Sequence, residues 1–156
     1  MMLQFTVPGK AIPQGSKRHV GHGIMVESSR ELGPWRERVA LAAHNAMLAA
    51  GAKPFVGAVA VGLEFVLPRP KSTPKRRTPP AIKRPDLDKL GRAIFDALTG
   101  AVLLDDAQVV DLHAHKRLAE SGETPCVTVT IEEFPMTQCP GTRISIVTPS
   151  KPAGIE

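Results

Sequence analysis

The stretch "KRPDLDKLGRAIFDALTG", residues 83–100, seats Asp86 and Asp88 one residue apart behind a basic, proline-rich run. A second acidic pair, Asp105 and Asp106, follows in "LLDD". Projected at 3.6 residues per turn, Leu87, Leu90, Ala93, Ile94, Ala97 and Leu98 cover one side of a helix. Asp88, Arg92 and Asp96 form a row four residues apart on the other side, with Lys89 beside them. Alone, "PDLD" is explained by capping: Asp86 suits an N-cap, and Asp88 suits the positive end of the helix dipole. The second pair changes that reading. In a strand, neighbouring side chains point to opposite faces, so one acid of the pair faces the helix start. Asp106 is the choice, with Asp105 turned away or flanking. A strand returning beside the helix would carry Asp106 to Asp86 and Asp88. Carboxylates held ~4 Å apart repel by roughly 4 kcal/mol per pair at an effective dielectric near 20. Such a group asks for a cation. Oxygen-only ligation is the preference of Mg²⁺, with Mn²⁺ able to substitute, whereas zinc would want His and Cys.

Just before these acids, residues 69–84 carry Arg69, Lys71, Lys75, Arg76, Arg77, Lys83 and Arg84 and no acid, and residues 68–85 hold six prolines. A solvated linker has this composition. Beside an acidic site the loop has a further use: a phosphodiester backbone is repelled by carboxylates, so a protein that brings DNA to them surrounds them with cations. Lys17, Arg18, Lys89 and Lys116 extend the basic set. A water activated by the metal would attack phosphorus, while the metal stabilises charge developing on the phosphate and the leaving oxygen. Arg92, one turn after Asp88, is placed to help.

The totals agree. The chain has 156 residues with 20 Lys+Arg against 15 Asp+Glu, a net charge of +5. Residues 133–156 balance Arg143 and Lys151 against Glu133 and Glu156, so all the excess lies in residues 1–132. That points to a polyanionic partner. The longest apolar stretch, "FVGAVAVGLEFVL" (55–67), carries Glu64 and is too short to span a bilayer. No signal-like segment opens the chain. Cys126 and Cys139 lack motif spacing, which suggests reduced thiols in a cytoplasmic protein.

The elements that must position these residues follow from punctuation and period. "LQFTVPG" (3–9) is a strand stopped by Pro8 and Gly9, and residues 10–33 form an irregular loop with a short strand at "GIMVES". A helix starts at Pro34 and runs to Gly51, with Trp35, Val39, Ala42, Ala46 and Ala49 on one stripe. "KPFVGAVAVGLEFVLPRP" contains a long apolar strand inside a sheet, ending at Pro68. After the basic loop, the helix opened at Asp86 stops at Gly100. "AQVVDLHAHK" (107–116) alternates Val110, Leu112 and Ala114 against Asp111, His113 and His115, a half-buried strand. "PCVTVTIEEF" is another, after a hairpin loop at Lys116–Thr124. The order predicts an α+β two-layer sandwich, one sheet with both helices on one face. The domain spans residues 1–134, and residues 135–156, with four prolines, form a loosely ordered tail.

The segment "RPDLDKLGRAIFDALTGAVLLDDAQVVDLHAHK" (84–116) resembles the RusA family of Holliday junction resolvases, small homodimeric Mg²⁺-dependent endonucleases. The family pattern is roughly P-D-x-D-N-x-x-K-x-x-x-D-A-L-x-G, then D-D-x-Q-V and a later lysine. "IPQGSKRH" and the "PRPK" that opens the basic loop are weaker points of likeness. The resemblance implies that Asp86, Asp88 and Asp106 are metal-binding, catalytic residues, and that Asp105 is the other acid of the pair. It aligns Asp96 with the helix aspartate and Lys116 with the late lysine. Two positions depart from the pattern: Lys89 stands in place of Asn, and Arg92 in place of a lysine at the scissile phosphate. Arginine keeps the charge and gives up proton transfer. The implied fold is an α/β dimer with an active site in each subunit. The implied partner is branched double-stranded DNA, where paired cuts suit two-fold symmetry.

His113 and His115 share a strand face with no Cys or third His near, and read as solvent-facing. His19 and His22 sit in the basic N-terminal loop. Cys126 and Trp35 read as core, and with no tyrosine in the chain an aromatic stacking platform is absent. Two rival functions share these features: a DNA-binding protein without catalysis, and a metal-dependent phosphodiesterase acting on RNA or nucleotides.

Overall fold

The strands are β1 (Met2–Pro8), β2 (Lys17–His19), β3 (Met25–Glu27), β4 (Val59–Leu67), β5 (Val109–Leu118) and β6 (Cys126–Glu133). The helices are α1 (Leu32–Ala49) and α2 (Leu87–Leu98), and a 3-10 turn covers Asp106–Gln108. The computed structural model describes residues 1–15, 17–19, 21–27 and 29–136. The tail expected from residue 135 falls almost wholly outside them.

In β4 every residue is buried except Glu64, which is half-buried. A strand buried on both faces must lie inside a sheet. The main sheet has the order β1-β6-β4-β5, antiparallel at β1–β6 and β6–β4 and parallel at β4–β5. Alternate residues Leu3, Phe5 and Val7 of β1, Val127, Val129 and Ile131 of β6 and Val61, Leu63 and Phe65 of β4 join one apolar cluster. Both helices add their buried residues to that same cluster, so both cover the same face. This is the α+β arrangement expected. The other face is polar at β1 and β6: Gln4 Nε2 donates to Thr130 Oγ1 at 3.0 Å, and the Thr6 and Thr128 hydroxyls meet at 3.1 Å. No helix among the described residues is long and apolar enough to cross a membrane.

Three local expectations change. Helix α1 starts at Leu32, which places Pro34 in the first turn, where its missing N–H costs nothing. The buried line of α1 is Leu32, Trp35, Val39, Ala43 and Met47, with Ala42 and Ala46 half-buried and Ala49 exposed. In β5, Val110 and Leu112 are 57% and 47% exposed instead of facing inward. The register slips between Val59 and Ala60, where Val59 pairs with Val109 but Ala60 pairs with Asp111, so Val110 is an extra residue. From Leu112 onward the parity is as expected. An edge strand, however, has sheet on one side only, and nothing described covers Leu112 fully.

Gly91 is buried within α2, and a Cβ built on it would meet Leu63 Cδ1 at 3.6 Å, an ordinary contact. Gly91→Ala should therefore stabilise the protein by ~0.5–1 kcal/mol through helix propensity. A urea midpoint that rises at unchanged slope would bear this out. A falling midpoint would mean that helix and sheet have no room for a methyl group.

Candidate active site

Asp86 occupies the N-cap position of α2 with extended backbone (φ −74, ψ 140), yet its side chain makes no capping hydrogen bond. The capping explanation therefore does not account for this carboxylate. Its charged neighbour is Lys89, Nζ to Oδ2 3.6 Å. Asp88 lies in the first turn and is exposed. Lys116, from β5, donates to the carbonyls of Lys83 (3.0 Å) and Pro85 (2.8 Å), tying the sheet edge to the segment that delivers Asp86. Arg92 is exposed and pairs with no carboxylate among the described residues. Its neighbour in the row, Asp96, is held instead by Arg36 of α1 at 2.6 Å. Arg36 also donates to Gln14 Oε1, so Arg36 clasps the two helices and the N-terminal segment together.

Asp105 and Asp106 lie in a tight turn ahead of the strand, so strand alternation does not govern them. Asp105 Oδ1 accepts from the Ala107 N–H at 2.8 Å. Gln108 reaches back, its Oε1 accepting from the N–H groups of Leu104 and Asp105 at 2.7 and 3.0 Å. Its Nε2 donates to the carbonyls of Phe55 and Gly57, both at 2.9 Å. Asp105 and Gln108 thus form a reciprocal capping box, and Gln108 pins the turn to the segment before β4. Asp106 is left exposed, and among the described residues its carboxylate is engaged by no hydrogen bond or ion pair. Sequence reasoning missed Gln108, although an acid followed three residues later by Gln is the signature of such a box.

The topology of one chain does not bring Asp106 to Asp86 and Asp88. β5 runs parallel to β4, so α2 must travel back along the sheet before β5 begins. Asp86 and Asp88 stand at the start of α2, beside Lys116 near the far end of β5. Asp106 stands past the other end of the helix, at the beginning of β5. The 12 residues of α2 separate them, a span of ~18 Å at 1.5 Å per residue. Among the described residues no three His, Cys, Asp or Glu side chains form a group able to hold a metal ion. His113 and His115 are exposed and belong to no such group.

The basic loop is organised by one of its own arginines. Arg69 donates to Thr78 Oγ1, to the Ala119 carbonyl of the β5–β6 connection and to the carbonyls of Pro74 and Arg77. Both of its Nη groups are engaged in these bonds. Lys71, Lys75, Arg76, Arg77, Lys83 and Arg84 are all exposed. Next to Asp86 a cleft of about 420 Å³ is walled by Lys10, Gln14, Arg84 and Lys89. Lys17 and Arg18 belong to β2, and their side chains fall outside the described set. At the far end of β5, Arg117 bridges Glu123 (2.6 Å) and Glu64 (3.6 Å). The hydrogen bond to Glu123 pushes the Arg117 pKa upward, fixing its charge as a structural pin for the hairpin. Cys126 is half-buried, and that burial, followed by the charge of Glu123, raises its thiol pKa.

Carboxylates left free of capping duty inside a basic surround are the equipment of a nuclease, which must draw a polyanion to its acids. The chain belongs to the endodeoxyribonuclease RusA family, whose pattern it matches over residues 8–132. That match extends well beyond the motif segment 84–116, and membership implies a Holliday junction resolvase activity on DNA. Comparison with curated proteins gives no match.

The turn geometry separates the two adjacent acids. Asp105→Asn keeps the accepting oxygen and should leave stability nearly unchanged, whereas Asp105→Ala should cost ~1 kcal/mol, the worth of a cap. Gln108→Ala strips two N–H groups and two carbonyls of their partner and should cost more, roughly 1–3 kcal/mol. Thermal or urea unfolding of the three variants checks the ranking, and an Asp105→Ala variant as stable as wild type would contradict the box.

Proposed function

We propose that the protein resolves four-way DNA junctions as a divalent-cation-dependent homodimer. Each active site combines Asp86 and Asp88 of one copy with Asp106 of the partner subunit. The observation that carries this reading is the placement of free acids at opposite ends of α2 in one chain. A two-fold operation sets the same patch of two copies against each other, so one end of α2 can meet the other end of its mate. Leu104 and Val110, which flank the Asp106 turn, are 62% and 57% exposed, as suits a surface that a second copy covers.

The donor set fits Mg²⁺ or Mn²⁺. All three ligands are carboxylates, none of them used by an internal hydrogen bond among the described residues. A bound cation would polarise the scissile phosphate and make an attacking water more acidic. The chain's own residues do the rest. Arg92 offers a fixed positive charge to the phosphate oxygens as they gain charge. Lys116 spends two donors on the Lys83 and Pro85 carbonyls and thereby holds Asp86 in place. The exposed cations of the 69–84 loop offset the repulsion between acids and DNA. Two such sites related by a two-fold axis supply the paired cuts that junction resolution requires.

Asp86→Asn, Asp88→Asn and Asp106→Asn should each abolish cleavage of a synthetic junction in Mg²⁺ while leaving binding intact. Mixing the Asp88→Asn protein with the Asp106→Asn protein should restore nicking, because half of each mixed dimer's sites then carry three native acids. A mixture as inactive as its components would contradict the shared site.

Arg92 permits a sharper test. Arg92→Lys should retain substantial activity, and Arg92→Ala should lose roughly 10²–10³-fold in single-turnover cleavage, the scale of one transition-state donor. A rate for the alanine variant within about threefold of wild type would remove Arg92 from the chemistry.

A further inference from the structure

A second basic cleft, of about 380 Å³, opens at the start of α1, with Lys10, Arg30 and Arg38 on its walls and Glu31 as its one acid. Among the described residues none of the three cations is ion-paired, with Glu31 or with any other carboxylate. Arg38 is held in position. Its guanidinium carbon sits 5.6 Å from the centroid of the Trp35 ring, and it donates to the Pro8 carbonyl. A Cβ on Gly9 would come within 3.0 Å of Arg38 Nη2, and Gly9 has a φ of +110 that other residues rarely adopt. Glycine at the end of β1 is therefore what lets Arg38 lie there. Trp35, 2% exposed, supplies a rigid wall.

Lys10 decides what this cleft is for. It lines both this cleft and the one that contains Asp86, Arg84 and Lys89. The two form a single basic track from the acidic residues to the start of α1. A free anion would need only one of them, whereas a continuous polyanion lying at Asp86 passes naturally into the second. Fixed guanidinium groups are suited to phosphate oxygens, which they can engage through two donors at once.

We infer that the Lys10–Arg30–Arg38 cleft binds backbone phosphates of the duplex arm that leads away from the strand at Asp86. This rests on the nuclease reading and adds to it a second contact zone, away from the 69–84 loop. The cleft sets arm direction and carries no chemistry.

The test is binding to four-way junctions with long or short arms over a salt series, without divalent cations. The double variant Arg30→Gln/Arg38→Gln changes two exposed side chains, neither of which lines the Asp86 cleft, and should stay folded. With long arms, its slope of log affinity against log salt should be shallower by roughly 0.9 for each lost phosphate contact. With short arms, it should match wild type. Arg30→Gln alone should show a smaller loss of the same kind and serves if the double variant fails to fold. Wild-type slopes on long arms, with normal junction binding, would overturn the cleft and leave the nuclease reading standing. Equal losses on short and long arms would place these cations at the junction centre and overturn the arm assignment. Wild-type protein that binds no junction would overturn both readings.

Discussion

The parallel pairing of β4 with β5 is the constraint from which the rest of the molecule follows. Antiparallel neighbours can be joined by a tight turn, but parallel ones require the chain to return along the sheet before the second strand begins. Here that return is residues 68–108, and it contains every candidate metal ligand, at the start of α2 and in the Asp105–Asp106 turn, together with the basic loop. The helix supplies the return, and its apolar side, Leu90, Ala93, Ile94, Ala97 and Leu98, seals the core. Its polar side is left to carry Asp88 and Arg92. The same geometry that closes the sheet thus sends the two acidic pairs to opposite ends of a helix.

Charged and polar residues hold this crossover in place, and several are of types that invite a functional reading. Arg69 gathers the basic loop around one guanidinium and anchors it to Ala119. Gln108 fastens the acidic turn to Phe55 and Gly57. Asp96 and Arg36 join the helices. Each hydrogen bond contributes only about 0.5–1.5 kcal/mol net, and partly exposed ion pairs less. Their value is positional. They convert a 41-residue return, most of it outside regular structure, into a frame that holds Asp86, Asp88, Arg92 and Asp106 outside its own hydrogen bonds.

What could be read from the sequence divides along the range of the interactions. β4 and α2 were legible because burial on two faces and burial on one stripe leave direct marks on residue order. The choice of Asp106 over Asp105 rests in the sequence on strand alternation, whereas in the structure a local capping box occupies Asp105 and leaves its neighbour out. That box spans three residues, and its pattern was present to be read. The distance between Asp106 and Asp86 was not legible, because it depends on β5 pairing parallel to β4, a choice made between strands about 50 residues apart. Arg69 was likewise indistinguishable from the other loop cations, since its partner Ala119 lies far along the chain. The exposure of Val110 came from a bulge, and a one-residue slip erases an alternation pattern at that point.

The separation of the acids has a consequence for control. An endonuclease whose carboxylates were all gathered in one chain could cut duplex DNA wherever a single copy landed. Under the proposed arrangement the monomer completes neither ligand set and is inert. Gathering three carboxylates costs electrostatic energy that only a cation offsets, so dimer formation and metal binding support one another through the same contact. A four-way junction, with two symmetry-related strands to cut, then matches an enzyme whose sites exist only in pairs. Exposed Leu104 and Val110 beside Asp106 are consistent with this linkage: the apolar contact that would join two copies and the acid that would complete the site belong to one short stretch of chain.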